Sequence, residues 1–388
     1  MAPTVVLPLD PDRVRTRRWH ATNTDLQTVI DQLQRLDLEL RQHDVPGQEH
    51  PHPRNCVLNL VVTVGDQERA EACDRLVGQL STMHPMRAIV VHLGSSDGGG
   101  TLEATIAAEA HRLFSGFPVQ RQQVLLKVRG AAVDHTASLV EALLVPDIST
   151  FLWWSGREHL DQEALRDVLD FSDVLVVDSS YLERPVDGLL NLAGLMGGRV
   201  GIADLRWGRM RPWREAIGQF FAPRERRPLL DGLQQMSCEA AGVEPSSRVG
   251  AALLAGWASA ALGWRFVSTG TAGESATECL AQADDGQQVR VTLRSAPSEH
   301  VPEGELLAVD MTGQSESGPF GMSIERDRAG GNHAALTITL GAETVRQRLA
   351  LPRAEESDLL FHVLWRSRRD QVFESALAGA SVLLESLR

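Results

Sequence analysis

The residues in this chain best suited to recognition chemistry are aromatic, cationic and hydroxylic, and they fall in three short segments. LLVPDISTFLWWSG (143–156) sets Trp153 and Trp154 side by side. FSDVLVVDSSYL (171–182) carries Asp178, Ser179 and Ser180. ADLRWGRMRPWREAIGQFF (203–221) offers Arg206 and Trp207, then Arg211, Trp213 and Arg214 around Pro212. Each set follows an apolar run that reads as a strand, so all three are expected at strand carboxyl ends, where open parallel sheets bind ligands. Guanidinium forks pair with carboxylates or phosphates, and tryptophan and arginine are enriched at interface hot spots. The same residues also have plain structural uses. Tryptophans fill cores, Asp178 and the serines cap a helix, and Pro212 suits a first helical turn. Seven arginines lie between Arg206 and Arg227. They read as a partner surface, a phosphate site or a solvated face.

Catalytic patterns are missing or lack their context. GSSDG (94–98) places Ser96 where a Gly-x-Ser-x-Gly nucleophile would stand, but that elbow needs a strand followed at once by a helix. Two more glycines and an alternating strand follow instead, so a hairpin loop is expected. His50 and His52 sit in EHPHPR, between prolines and away from any Cys or His partner, which suits a surface loop better than a metal site. Lys127 is the only lysine and lies in LLKVRG, excluding a Walker A loop. Cys56, Cys73, Cys238 and Cys279 show no CxxC spacing, so neither a zinc site nor a disulfide framework is expected. With no HExxH and no GxGxxG, the residues predict no catalytic constellation, metal or cofactor.

Composition bounds the class. The chain has 388 residues, 43% hydrophobic and 23% charged, as in a folded protein of two or three domains. A net charge of −13 disfavours nucleic acid and anionic membrane as partners. The longest apolar stretch, 251–264, is too short to span a bilayer. The N-terminus MAPTVVLPLD has its arginines after the apolar run, the reverse of a secretory signal, so a cytoplasmic location is expected.

The elements that must position these residues follow from periodicity. Residues 1–21 read as an arm, and a helical pattern begins near Thr24. Strands at 57–64 and 86–93, joined by a helix at 67–80, suggest a βαβ unit and a parallel sheet. Alternation near 102–110 and 124–128 predicts an antiparallel hairpin. Helices at 135–144, 161–169 and 185–195 then alternate with strands at 150–154, 174–177 and 200–205, and a helix at 213–221 follows. A broad apolar face over 249–261 marks a helix pressed on a core. Beyond Trp264 short strands follow one another, and a terminal helix aligns Phe373, Leu377, Ala380 and Leu384. The predicted architecture is an α/β domain (22–262), a mostly parallel sheet with flanking helices plus the hairpin. A smaller α+β domain (263–388) with an antiparallel sheet follows.

HPMRAIVV (84–91), LLVPDISTFLWWSG, SDVLVVDSS (172–180), DLRWGRMRPWRE (204–215) and GAALLAGWASAALGWRF (250–266) resemble, in order, the signature blocks of the glucose-6-phosphate dehydrogenase assembly protein family, OpcA. Met86 and Arg211 depart from common family choices. The thioredoxin-responsive cysteines associated with the cyanobacterial branch have no counterpart after Cys279. The resemblance implies a non-catalytic partner that binds glucose-6-phosphate dehydrogenase, favours its active oligomer and supports the oxidative pentose phosphate pathway. The expected contact with that partner is the Trp/Arg surface around Trp207, Arg211, Trp213 and Arg214, while Trp153, Trp154, Asp178, Ser179, Ser180 and Arg206 are candidates for binding a partner or a ligand. The competing reading is an enzyme or sugar-phosphate sensor that uses Asp178, Ser179 and Arg206 in a strand-end crevice.

Overall fold

The computed structural model describes residues 15–41, 56–81, 83–112, 118–157, 163–271, 273, 275–366 and 369–388. His50, His52 and residues 1–14 of the expected arm lie outside them. The chain forms two units, each assembled from separated segments. One comprises Met1–Val177, Arg199–Gly201 and Leu360–Arg368, the other Asp178–Gly198, Ile202–Leu359 and Arg369–Arg388.

The first part of the chain runs β1 (Arg15–Ala21), α1 (Leu26–Arg41), β2 (Leu58–Val64), α2 (Gln67–Leu80), β3 (Met86–Leu93), β4 (Thr101–Arg112), β5 (Pro118–Arg129), α3 (Thr136–Glu141), β6 (Ser149–Trp154), α4 (Glu163–Asp170), β7 (Val174–Val177), α5 (Pro185–Leu195) and β8 (Gly201–Asp204). The sheet order is β1-β4-β5-β3-β2-β6-β7-β8. Strands β2 and β7 are buried along their whole length, which is why they read as mainly apolar runs rather than alternating ones. They pair in parallel with their neighbours, β2 with β3 and β6, and β7 with β6. Asp66 starts α2 by accepting the Arg69 amide at 2.7 Å. The predicted hairpin is β4 paired antiparallel with β5. Residues 15–21, read from sequence as arm, form β1 along the outer edge of β4. Arg17 and Arg18 on this edge strand are exposed, so RTRRWHA carries no alternating apolar signal.

The second part runs α6 (Leu205–Arg209), α7 (Arg211–Phe221), β9 (Leu233–Ala241), α8 (Val249–Leu262), β10 (Arg265–Thr271), β11 (Ala276–Gln282), β12 (Gln288–Ala296), β13 (Leu306–Ser315), β14 (Gly318–Arg326), β15 (His333–Leu340), β16 (Glu343–Ala350), α9 (Glu356–Arg366) and α10 (Gln371–Glu385). Its sheet order is β10-β11-β12-β9-β13-β14-β15-β16. Strand pairs are antiparallel except β9 with β12, which run parallel. Strand β9 thus enters this sheet from upstream of residue 263. Helix α8 is buried almost throughout and packs against α10. Gly256 makes that crossing close: a Cβ there would lie 2.3 Å from the Ala376 carbonyl oxygen and 2.6 Å from the Ala380 nitrogen.

Candidate functional site

In the second unit, the segments Asp178–Ser180 and Asp204–Arg209 form a buried polar cluster. Asp178 follows β7 directly, and Asp204 ends β8 and caps α6 by accepting the Arg206 amide at 3.0 Å. The Ser179 hydroxyl joins the two segments. It donates to Asp204 Oδ2 at 2.7 Å and accepts from Arg206 Nε at 3.0 Å, while the Ser179 amide donates to Asp204 Oδ1. Arg206, only 4% exposed, also donates to the Ser179 carbonyl and, at 2.6 Å, to that of Gly304. Gly304 has φ +79°, and a Cβ there would sit 2.5 Å from Arg206 Nη1, so both backbone and space require glycine.

Arg209 completes the cluster as a fork on Asp178, with its two terminal nitrogens at 2.9 and 2.7 Å from the carboxylate oxygens. Burial pushes the Asp178 carboxyl up, but the Arg209 hydrogen bonds and charge outweigh it and hold the group below the ordinary carboxylate range. Asp204 has no such fork. Burial, then the nearby Asp178 charge, push it up to about 6. Burial also weakens the hold of Arg206 on its proton, with Asp204 and Asp178 opposing.

Helices α6 and α7 carry the remaining candidates of this unit. Trp207 and Trp213 are both buried. The Arg214 guanidinium lies 3.4 Å from the centroid of the Trp207 ring and donates to the Trp207 carbonyl at 2.8 Å. Phe373 packs against Trp207. Arg211 is exposed and pairs with Glu215 one turn along at 2.7 Å. The unit therefore gathers Asp178, Ser179, Ser180 and Arg206 into one polar network. It sets Trp207 and Arg214 together and leaves Arg211 facing solvent.

Trp153 and Trp154 belong to the first unit, at the end of β6. Both are buried, and among the described residues neither indole nitrogen finds a hydrogen-bond partner. Arg69 lies 5.4 Å over the Trp153 ring and donates to the Ser155 hydroxyl at 2.6 Å. Ser96 sits in an exposed loop that leads into β4 rather than a helix, so the elbow geometry is absent at that position. Lys127 pairs with Glu103, its register partner, at 3.0 Å. Among the described residues no group of three His, Cys, Asp or Glu side chains is arranged to hold a metal.

Sequence reasoning missed Arg209, Gly304 and Arg326 as members of this region. Arg326 left a signal. Phe320, Met322 and Ile324 alternate inward along β14, and the next inward position is an arginine.

Two family profiles match in tandem. One describes the N-terminal domain of a glucose-6-phosphate dehydrogenase subunit and covers residues 77–194; the other describes its C-terminal domain and covers 200–377. Proteins named OxPP cycle protein OpcA are similar to this chain. The one from Synechococcus elongatus is 26% identical over 269 residues, 68% of this chain and 59% of its own length. The one from Nostoc punctiforme is 22% identical over 311 residues, 78% of this chain and 66% of its own. That from Synechocystis sp. is 29% identical over 147 residues, 38% of this chain and 30% of its own. The chain thus spans less than two thirds of each of these relatives. Among solved structures, an NAD-binding oxidoreductase from Klebsiella pneumoniae aligns at TM-score 0.48 and 12% identity, covering 85% of this chain and 96% of that one. A likeness of that degree carries no functional argument.

Proposed function

Since the chain belongs to the glucose-6-phosphate dehydrogenase assembly family, OpcA, we propose that it is a non-catalytic partner that binds glucose-6-phosphate dehydrogenase and favours its active oligomer. In that role it supports the oxidative pentose phosphate pathway and its NADPH supply from the cytoplasm. The tandem match to both family profiles carries this reading. Also in its favour, no helix among the described residues is long and apolar enough to cross a membrane. A partner of this kind needs no reacting groups of its own. It needs only a higher affinity for the active form of the enzyme than for the inactive one.

The proposed contact is the exposed start of α7. Arg211 presents its guanidinium to solvent beside Glu215, and Arg214, braced on the buried Trp207 ring, stands close to it along the helix. The buried Asp178, Ser179, Arg206, Trp207 and Trp213, with Ser180, serve this surface by fixing the backbone that displays it. Trp153 and Trp154 do the corresponding work for β6 within the first unit. Activation of the organism's own dehydrogenase, titrated with wild type, Arg211→Ala and Arg214→Ala, tests the assignment. A hot-spot residue shifts half-maximal activation by roughly 30-fold, matching about 2 kcal/mol. Circular dichroism shows whether each variant folds. If both fold and both activate at wild-type concentrations, the contact lies elsewhere. If the wild type neither binds nor activates the dehydrogenase, the functional assignment itself fails.

A further inference from the structure

The second unit holds one guanidinium whose surroundings do not account for it. Arg326 is 8% exposed, and its Nε is buried without a hydrogen-bond partner. Among the described residues no hydrogen bond or ion pair engages its two terminal nitrogens either, and these keep some contact with solvent. Its nearest aromatic contact, the Trp213 ring at 5.6 Å, lies at the limit of a cation–π interaction. Burial lowers its pKa, and of the charges acting on it Glu305 opposes that shift while Arg353 adds to it. Glu305 is already engaged by Arg353 at 3.1 Å. A buried N–H donor without an acceptor is disfavoured, and native proteins satisfy such groups.

Beside Arg326 is a cavity of about 20 Å³, with Arg206, Arg209, Met210, Trp213 and Glu305 among its other walls. It is larger than the space one water requires. The positive charges around it outnumber the negative. Arg206, Arg209, Arg326 and Arg353 stand against Asp178, Asp204 and Glu305. Arg206 donates through Nε, Nη1 and Nη2 once each, and Arg209 through Nη1 to Asp178 and the Ser180 hydroxyl and through Nη2 to Asp178, so each guanidinium keeps N–H donors outside these bonds.

We propose that this cavity is an anion site for a phosphate group, gripped by Arg326 with Arg206 and Arg209, and walled on its apolar side by Trp213 and Met210. The site is distinct from the α7 surface and does not depend on the dehydrogenase assignment. Guanidinium forks bind tetrahedral oxyanions through paired N–H donors, which a monatomic anion cannot match. Both free phosphate and the phosphate end of a sugar phosphate present that chemistry.

The test uses the full chain in phosphate-free buffer. Inorganic phosphate, glucose 6-phosphate, glucose and sodium chloride at matched ionic strength are titrated by calorimetry and by thermal unfolding. Saturable binding and a rising melting temperature are expected with phosphate or glucose 6-phosphate, and neither with glucose or chloride. Tighter binding of the sugar phosphate identifies the esterified group as ligand, and equal or tighter binding of inorganic phosphate identifies the free anion. Arg326→Gln should weaken binding at least 10-fold while melting no lower than wild type in phosphate-free buffer, because it removes an unpaired buried charge. Arg326→Lys, which keeps the charge and loses the fork, should bind with intermediate affinity and serves if the glutamine variant fails to fold. The proposal is overturned if neither phosphate compound binds saturably, if chloride reproduces the response, or if the Arg326 variants bind as wild type does.

Discussion

Replacing Gly256 by alanine should destabilise the second unit, although helix propensity alone argues the opposite. In a helix interior the change from glycine to alanine gains about 1 kcal/mol. At Gly256 the new Cβ would stand 2.3 Å from the Ala376 carbonyl oxygen, 2.6 Å from the Ala380 nitrogen and 2.7 Å from the Ala380 Cβ. Two of these neighbours are backbone of α10, so no rotamer change relieves the overlap, and the helices must separate. Overpacking of this kind costs about 3 kcal/mol at the upper end of the usual range. The net expectation is a loss of about 2 kcal/mol, or roughly 4–8 °C in melting temperature for a domain of this size. Gly218, on α7, is the control. No described atom lies within 4 Å of its virtual Cβ, so Gly218→Ala should raise stability by about 0.5–1 kcal/mol. Urea unfolding of both variants decides. If Gly256→Ala matches or exceeds wild type, the close helix crossing is not a real constraint and the packing argument fails.

Arg206→Met should cost about 3–5 kcal/mol in urea unfolding, because it leaves the buried Ser179 hydroxyl and the Ser179 and Gly304 carbonyls without their donor and removes the positive charge beside buried Asp204 and Asp178; a loss under 1 kcal/mol would refute the network. Asp204 should make stability depend on pH in an unusual direction. Its folded pKa of about 6 lies above the ordinary 3.8, so its ionised form disfavours the fold above pH 6, and that penalty is relieved as pH falls from 6 towards 4. Asp178, held low, contributes oppositely, its stabilisation being lost only as pH falls below 3.8. Asp204→Asn should therefore lose ground to wild type between pH 6 and 4, and parallel curves would refute the assignment. Ser96→Ala should change stability by no more than about 0.5 kcal/mol and leave dehydrogenase activation untouched.

Legibility in the sequence followed burial. Strands β2, β3, β6 and β7 announced themselves as mainly apolar runs, because helix-connected parallel strands are covered on both faces. The β4–β5 hairpin showed by alternation, and α8 by its small apolar residues. Strand β9 left little trace. Its inward Met236, Cys238 and Ala240 alternate with Gln235, Ser237 and Glu239, and neither set is strongly β-forming. The three candidate segments were found, but their depth was not. Trp207 and Trp213 beside arginines suit an exposed anchor and a buried brace equally well, and only the tertiary structure places both indoles inside. The partners of Arg206 were beyond reach for a different reason. Gly304 is 98 residues away, and no periodicity links the two.

The interleaving of the two units bears on how the chain is made. Helix α8 is almost wholly apolar and finds its cover in α10, more than a hundred residues downstream, while the first unit waits for Leu360–Arg368. At roughly 5–20 residues per second of synthesis, α8 spends several seconds outside the ribosome before its mate exists. Neither unit can close until those late segments have emerged. Nascent chains of this protein should therefore be held by chaperones up to that point, and a product stalled or truncated before α10 should expose α8 and be cleared by proteolysis.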